Sequence, residues 1–138
     1  YIMSEASDYV ENQILNCYLN QDDIAAPAAI FLALHSSDPT DDDGGELAVA
    51  NGYARVAITD KFDTASGAGA DGTSISSNAD ITGFTASGAA WSAVTHIGIH
   101  DAIAGGNLLF HTPLASSVTV ADGDSFQVSN GNLTVTVA

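Results

Sequence analysis

The 138 residues are one domain's worth of chain, 46% apolar and long enough to bury a core without disulfides or a structural metal. Seventeen Asp and Glu stand against one Arg (Arg55) and one Lys (Lys61), a formal charge of −15. That balance argues against nucleic acid and against an anionic membrane as partners, since both are met with Lys and Arg; no apolar run approaches the roughly 18 residues that span a bilayer.

The chain begins Tyr1-Ile2-Met3. Met3-Ser4-Glu5 reads as a start, and no basic n-region precedes an apolar h-region, so no signal peptide is expected. From Ser7 the sequence predicts a helix. Val10, Ile14 and Tyr18 recur every four residues, and Leu15 and Leu19 extend the stripe. Ser7 is a suitable N-cap, with Asp8 in the first turn where the helix dipole favours an anion. Pro27 blocks continuation, so the helix ends by Asn20 to Asp23. Its stripe either covers one face or end of a sheet or docks at a subunit contact. Cys17, alone in the chain and set among apolar residues, reads as a buried inert thiol; it leaves no internal disulfide and no cysteine-based zinc site.

After Pro27 the pattern is β. Residues 28–35, AAIFLALH, form an unbroken apolar run, as a strand buried on both faces requires. Ser36 to Pro39 has turn composition. Asp41-Asp42-Asp43 and Glu46 surround Gly44-Gly45, which reads as a solvated acidic loop. It lacks the EF-hand spacing for Ca²⁺. A strand is expected over 52–59, with Tyr53, Arg55 and Ala57 on one face. The Gly/Ala/Ser-rich stretch 64–74 reads as an exposed loop. Residues 94–100 alternate, Ile97 and Ile99 facing one way and His96, Gly98 and His100 the other. Gly105-Gly106 turns the chain into Leu108-Leu109-Phe110. Near the end, Phe126 and Val128 precede Asn130-Gly131, followed by Leu133, Val135 and Val137, which predicts a closing hairpin. The expected fold is a mainly β, antiparallel β-sandwich or jelly-roll-like domain with one N-terminal α-helix: a single domain over 1–138, with the N-terminal segment and helix in 1–23 and the sandwich in 28–138.

No nucleophile motif is present. His96 and His100 share a strand face but stand about 13 Å apart by strand rise, too far to hold one ion together. His111 on the next strand approaches one of them, and Asp101 adds a carboxylate, but transition-metal sites usually take three or four protein ligands. The histidines are therefore read as polar-face residues at a sheet surface or subunit contact, with no metal and no cofactor assigned. Arg55 pairs either with an internal carboxylate or with one on a neighbouring subunit. Trp91, near Phe84, reads as a core aromatic.

Four stretches resemble a family of short virion proteins of tailed bacteriophages, known as tail-fibre-like or head-decoration proteins. They are the segment Leu32-Ala33-Leu34-His35-Ser36-Ser37-Asp38-Pro39, the element Gly52-Tyr53-Ala54-Arg55, the stretch Ser77-Asn78-Ala79-Asp80-Ile81, and the long run from Trp91 through Val94-Thr95-His96-Ile97-Gly98-Ile99-His100-Asp101-Ala102 to Gly105-Gly106-Asn107-Leu108-Leu109-Phe110-His111. They occur in order and cover nearly the whole chain. His100 stands where the family usually has an aromatic residue. The resemblance carries no catalytic residues.

What the resemblance and the residues together imply is a structural virion protein rather than an enzyme. A glycan hydrolase, for one, needs a carboxylate pair in a cleft. The role expected is a capsid decoration, or cement, protein on the outer head surface, made in the host cytoplasm. Its partners would be the major capsid protein and copies of itself. The alternative is a tail-tip or tail-fibre module that binds the host surface. Tyr1, Ile2, Met3, Tyr9 and Arg55 are the expected subunit contacts. So strong a negative charge strains the compact state unless salt or a positive partner offsets it.

Overall fold

Helix α1 (Asp8–Asn20) follows a two-residue strand β1 (Glu5–Ala6) in the computed structural model, which describes residues 5–65 and 73–137. The described strands that come next are β2 (Phe31–His35), β3 (Val56–Ala57), β4 (Thr73–Ser76), β5 (Ile81–Thr85), β6 (Val94–His100), β7 (Leu108–Val118), β8 (Ser125–Val128) and β9 (Thr134–Val137). One antiparallel sheet runs in the order β1-β7-β6-β2-β3, and two antiparallel ribbons, β4-β9 and β5-β8, stand apart from it. The domain is mainly β with one N-terminal helix, as the sequence predicts.

Strand β2 explains the layering. Its neighbours are β6 on one side and β3 on the other, and Leu32, Ala33, Leu34 and His35 are all fully buried. The register sets Leu32 opposite Ile99 and Leu34 opposite Ile97. These four side chains share one face and join a core with Ile81, Phe84, Phe126, Leu133 and Val135 from and beside the two ribbons. The opposite face carries Ala33 and His35 beside Gly98, His96 and His100, with His111 of β7 paired to Gly98.

The predicted closing hairpin does not form: β8 pairs with β5 and β9 with β4. The turn itself is present, since the Asn132 amide donates to the Ser129 carbonyl at 3.0 Å. But Gly131 has φ +80° while Asn130 is not in the left-handed region. That is the pattern of a type II turn, which splays its flanking strands, whereas a hairpin needs both central residues at positive φ or a glycine at the first. Ser77 holds the splayed end, its carbonyl accepting from Gly131 at 2.8 Å and its amide donating to Leu133 at 2.8 Å.

The strand expected over 52–59 shrinks to Val56–Ala57, because beyond Leu32 the edge of β2 is taken by Glu46 and Leu47; Tyr53 and Arg55 are buried, 2% and 8% exposed. Most of the stretch 64–74 lies outside the described residues; Thr73 and Ser74 belong to β4.

The helix begins and ends as expected. Ser7 caps it, accepting from the Val10 amide, and its hydroxyl donates to the Leu108 carbonyl. Gln21 closes it in the left-handed conformation at φ 60°. Its packing differs from the predicted stripe. Val10, Gln13, Ile14 and Cys17 are half-buried, and no helix residue is fully buried. Cys17 is thus half-buried rather than in the core. Leu15, Tyr18 and Leu19, one patch by helical spacing, stand 54%, 79% and 79% exposed.

Candidate functional site

The acidic run after β2 is fastened to the sheet and helix at several points, while Asp38, Asp41 and Asp42 stay exposed as a solvated run should. The Asp8 amide, at the start of α1, donates to Asp41 at 3.2 Å. Asp43 Oδ1 lies 2.7 Å from His100 Nε2, and Asp38 Oδ1 lies 3.6 Å from His111 Nδ1. The loop closes on itself where the Ser36 amide donates to the Gly45 carbonyl at 2.8 Å and the Gly44 amide to the Pro39 carbonyl at 2.9 Å. Gly45 takes φ +71°, and a Cβ there would run into the Ser37 side chain, so glycine suits this turn.

Glu46 and Arg55 form the charged centre of this layer. Arg55 donates from Nε at 2.9 Å and from Nη2 at 2.7 Å to the two oxygens of Glu46, a bidentate pair. Its Nη1 donates to the carbonyls of Ala102 at 2.9 Å and Gly105 at 2.8 Å, and Asp43 lies 3.9 Å from Nη2. Of the two readings open for Arg55, the structure gives the internal pairing. The Tyr53 phenol donates to Glu46 at 2.8 Å and accepts the Leu34 amide at 3.0 Å. That amide lies beyond the two-residue β3, at the edge where the Leu47 amide donates to the Leu34 carbonyl at 3.0 Å and Glu46 bridges His35. Burial alone would raise the Glu46 carboxyl, but hydrogen bonds from Arg55 and Tyr53 outweigh it and hold the group below the usual carboxylate range. Burial pushes the Tyr53 phenol well up.

The histidines sit deeper than a sheet surface. His35 and His100 are fully buried and His111 is 5% exposed, while His96 is half-buried with Thr95 Oγ1 2.9 Å from its Nδ1. Asp101 faces neither His100 nor His111 as a partner; it accepts from the Asn107 amide at 2.7 Å and side-chain amide at 2.8 Å across the Gly105-Gly106 turn. The pair the structure does bring together is His35 with His100, ring centroids 5.8 Å apart and 8° from parallel. With Asp43 they place three potential ligating atoms within 4.8 Å of one another. Sequence spacing did not reveal this set because its members are 8 and 57 residues apart. The readable signal was Gly98, a small residue between two histidines on a strand.

Outside this layer, Leu15, Tyr18 and Leu19 form an exposed patch on the outer edge of α1, and a separate groove of about 430 Å³ on its inner side is lined by Tyr9, Val10, Ile14, Ile24, Pro27 and Phe110. Tyr9 is 40% exposed. Tyr1, Ile2 and Met3 lie outside the described residues.

The fold is an antiparallel β domain in which charged side chains fasten a loop and an apolar helix edge stays exposed. A family model described as podophage GP4 fiber I protein gp80 matches residues 5–136, and the chain belongs to that family. It is a structural protein of a phage virion. No curated protein matches it.

Proposed function

We propose that the chain is a fibre-type module of the virion, held on the particle through the outer edge of α1 and acting by contact rather than by catalysis. The observation that carries the reading is the match over residues 5–136 to a family described as a fibre protein. The helix edge supports the mode of attachment: three large apolar side chains there are more than half exposed, and such clusters mark interaction sites. Copies of the chain, each carrying −15, repel one another when gathered on a particle, so attachment draws on apolar contact and on basic residues of the protein beneath. Homo-oligomers at symmetry positions follow from the same reading, as do a virion protein as partner and neither nucleic acid nor membrane.

The second reading is the decoration protein on the capsid surface, favoured by a small acidic domain without an internal fibrous repeat. Copy number per particle, measured by quantitative mass spectrometry and paired with gold-labelled antibody in electron micrographs, separates the two. Tens of copies or fewer, with label at an appendage, fit the fibre module. Hundreds of copies, with label spread over the head, move the assignment to decoration.

A further inference from the structure

We propose that His35, His100 and Asp43 form a binding site for one divalent transition-metal ion of the zinc class, which clasps the acidic loop onto the sheet. Three observations carry it.

The first is an orphaned lone pair. His35 Nδ1 lies 2.9 Å from the Gly44 carbonyl. A carbonyl only accepts, so Nδ1 carries the proton and Nε2 is bare. That bare nitrogen is fully buried and has no partner, and His100 Nδ1 has none either. Buried polar atoms without partners are rare in folded proteins and mark water, an ion or a functional role.

The second is the donor set. Two imidazoles and a carboxylate within 4.8 Å of one another match the nitrogen and oxygen ligands that zinc takes in open sites, with three protein ligands and water in the fourth position. Metal-ligating histidines usually donate the other ring N–H to a carbonyl or carboxylate, and the His35 bond to Gly44 is such a contact. In a tetrahedral site two metal bonds of about 2.1 Å set ligand atoms about 3.4 Å apart, so atoms up to 4.8 Å apart draw together by as much as ~1.4 Å on binding. His100 binds through Nε2 as the tautomer protonated at Nδ1, so the Nε2 proton, now directed at Asp43, is released while Nδ1 takes one up, and the ring stays neutral. Asp43 is 27% exposed and gives the ion its path inward.

The third is the built surround. A Cβ on Gly98 would lie 2.9 Å from His35 Nε2 and 3.2 Å from His100 Cε1, so the absent side chain leaves the space the two rings occupy. Arg55, the one cation near, is neutralised by its bidentate pair with Glu46, and the net charge left beside the site is that of Asp43.

The test uses the whole chain, stripped with chelator and carrying Cys17→Ser to remove the thiol. Cobalt(II) is titrated in while its visible absorption is followed, and zinc(II) is titrated in while the imidazole nitrogens are followed by NMR. The expected result is one ion per chain, with a shift of the His35 Nε2 resonance. His35→Gln and Asp43→Asn should each weaken binding by more than about tenfold, and His96→Gln should leave it unchanged. Asp43→Asn keeps an acceptor for His100, so it stays informative if His35→Gln does not fold. Absence of saturable binding overturns the proposal. So does binding that leaves the His35 resonance in place, or that survives Asp43→Asn at full strength, because the ion then sits on surface carboxylates.

Discussion

His35 and His100 lie ring against ring on neighbouring strands, 5.8 Å between centroids and nearly parallel, and the residue that makes room for them is Gly98. Replacing it with alanine forces a methyl to 2.9 Å from both His35 Nε2 and Leu108 Cδ1. The rings are fully buried and cannot swing into solvent. Gly98→Ala should therefore cost about 1–3 kcal/mol, the range for overpacking a core, read as a drop in the urea midpoint at unchanged slope. A neutral effect would mean that the histidine layer is looser than described.

Arg55→Ala removes one guanidinium and leaves four acceptors behind: both Glu46 oxygens and the carbonyls of Ala102 and Gly105. Breaking a buried pair from one side costs about 3–5 kcal/mol; here the lower end is expected because Glu46 keeps some solvent contact. Arg55→Lys should recover only part, since an ammonium cannot reproduce the fork. Chemical denaturation checks both, and equal stability of Arg55→Lys and the parent would contradict the bidentate geometry.

Burial, reinforced by the nearby His100, lowers the His35 imidazole below its ordinary value of 6.5. The unfolded chain takes up a proton as the pH falls through that value while the folded chain does not. The stability this group contributes is complete above 6.5 and is lost as pH falls through the lower folded pKa. In metal-free protein the melting temperature should fall between about pH 7.5 and about pH 5.5, more steeply than in His35→Gln. Identical slopes would show that His35 is not held neutral by the fold.

Carboxylate repulsion gives a further expectation. With two cations against 17 acids, raising salt from about 10 mM to about 150 mM should raise the melting temperature, as the screening length shortens. A flat or falling curve would mean that the fastened loop has already relieved the strain.

The sequence disclosed what depends on local pattern. The apolar 28–35 run holds β2, which is shorter, Phe31–His35, and fully buried from Leu32 to His35. Ser7 is the cap because its hydroxyl suits one. Trp91 lies in the core, its indole N–H donating to the Asn51 carbonyl at 2.8 Å. What stayed hidden depends on long-range contact. Asn130-Gly131 makes a turn, but Ser77, more than fifty residues earlier, decides that its arms part. The acids at 38–46 read as a solvated run because nothing local reveals that His100, His111 and Arg55 converge on them. The helix packs on a different side from the one its apolar spacing marks: Val10 and Ile14 lie inward with Gln13 and Cys17, while Leu15, Tyr18 and Leu19 stay exposed, since α1 rests on the end of β7 rather than across a sheet.

Attachment of this chain to the virion through the outer edge of α1 is decided by a density map of the intact particle. With the domain fitted into the map, an appendage is expected in which Leu15, Tyr18 and Leu19 are buried against a neighbouring virion protein. A domain seated with that edge open to solvent, and another face against the particle, would contradict it.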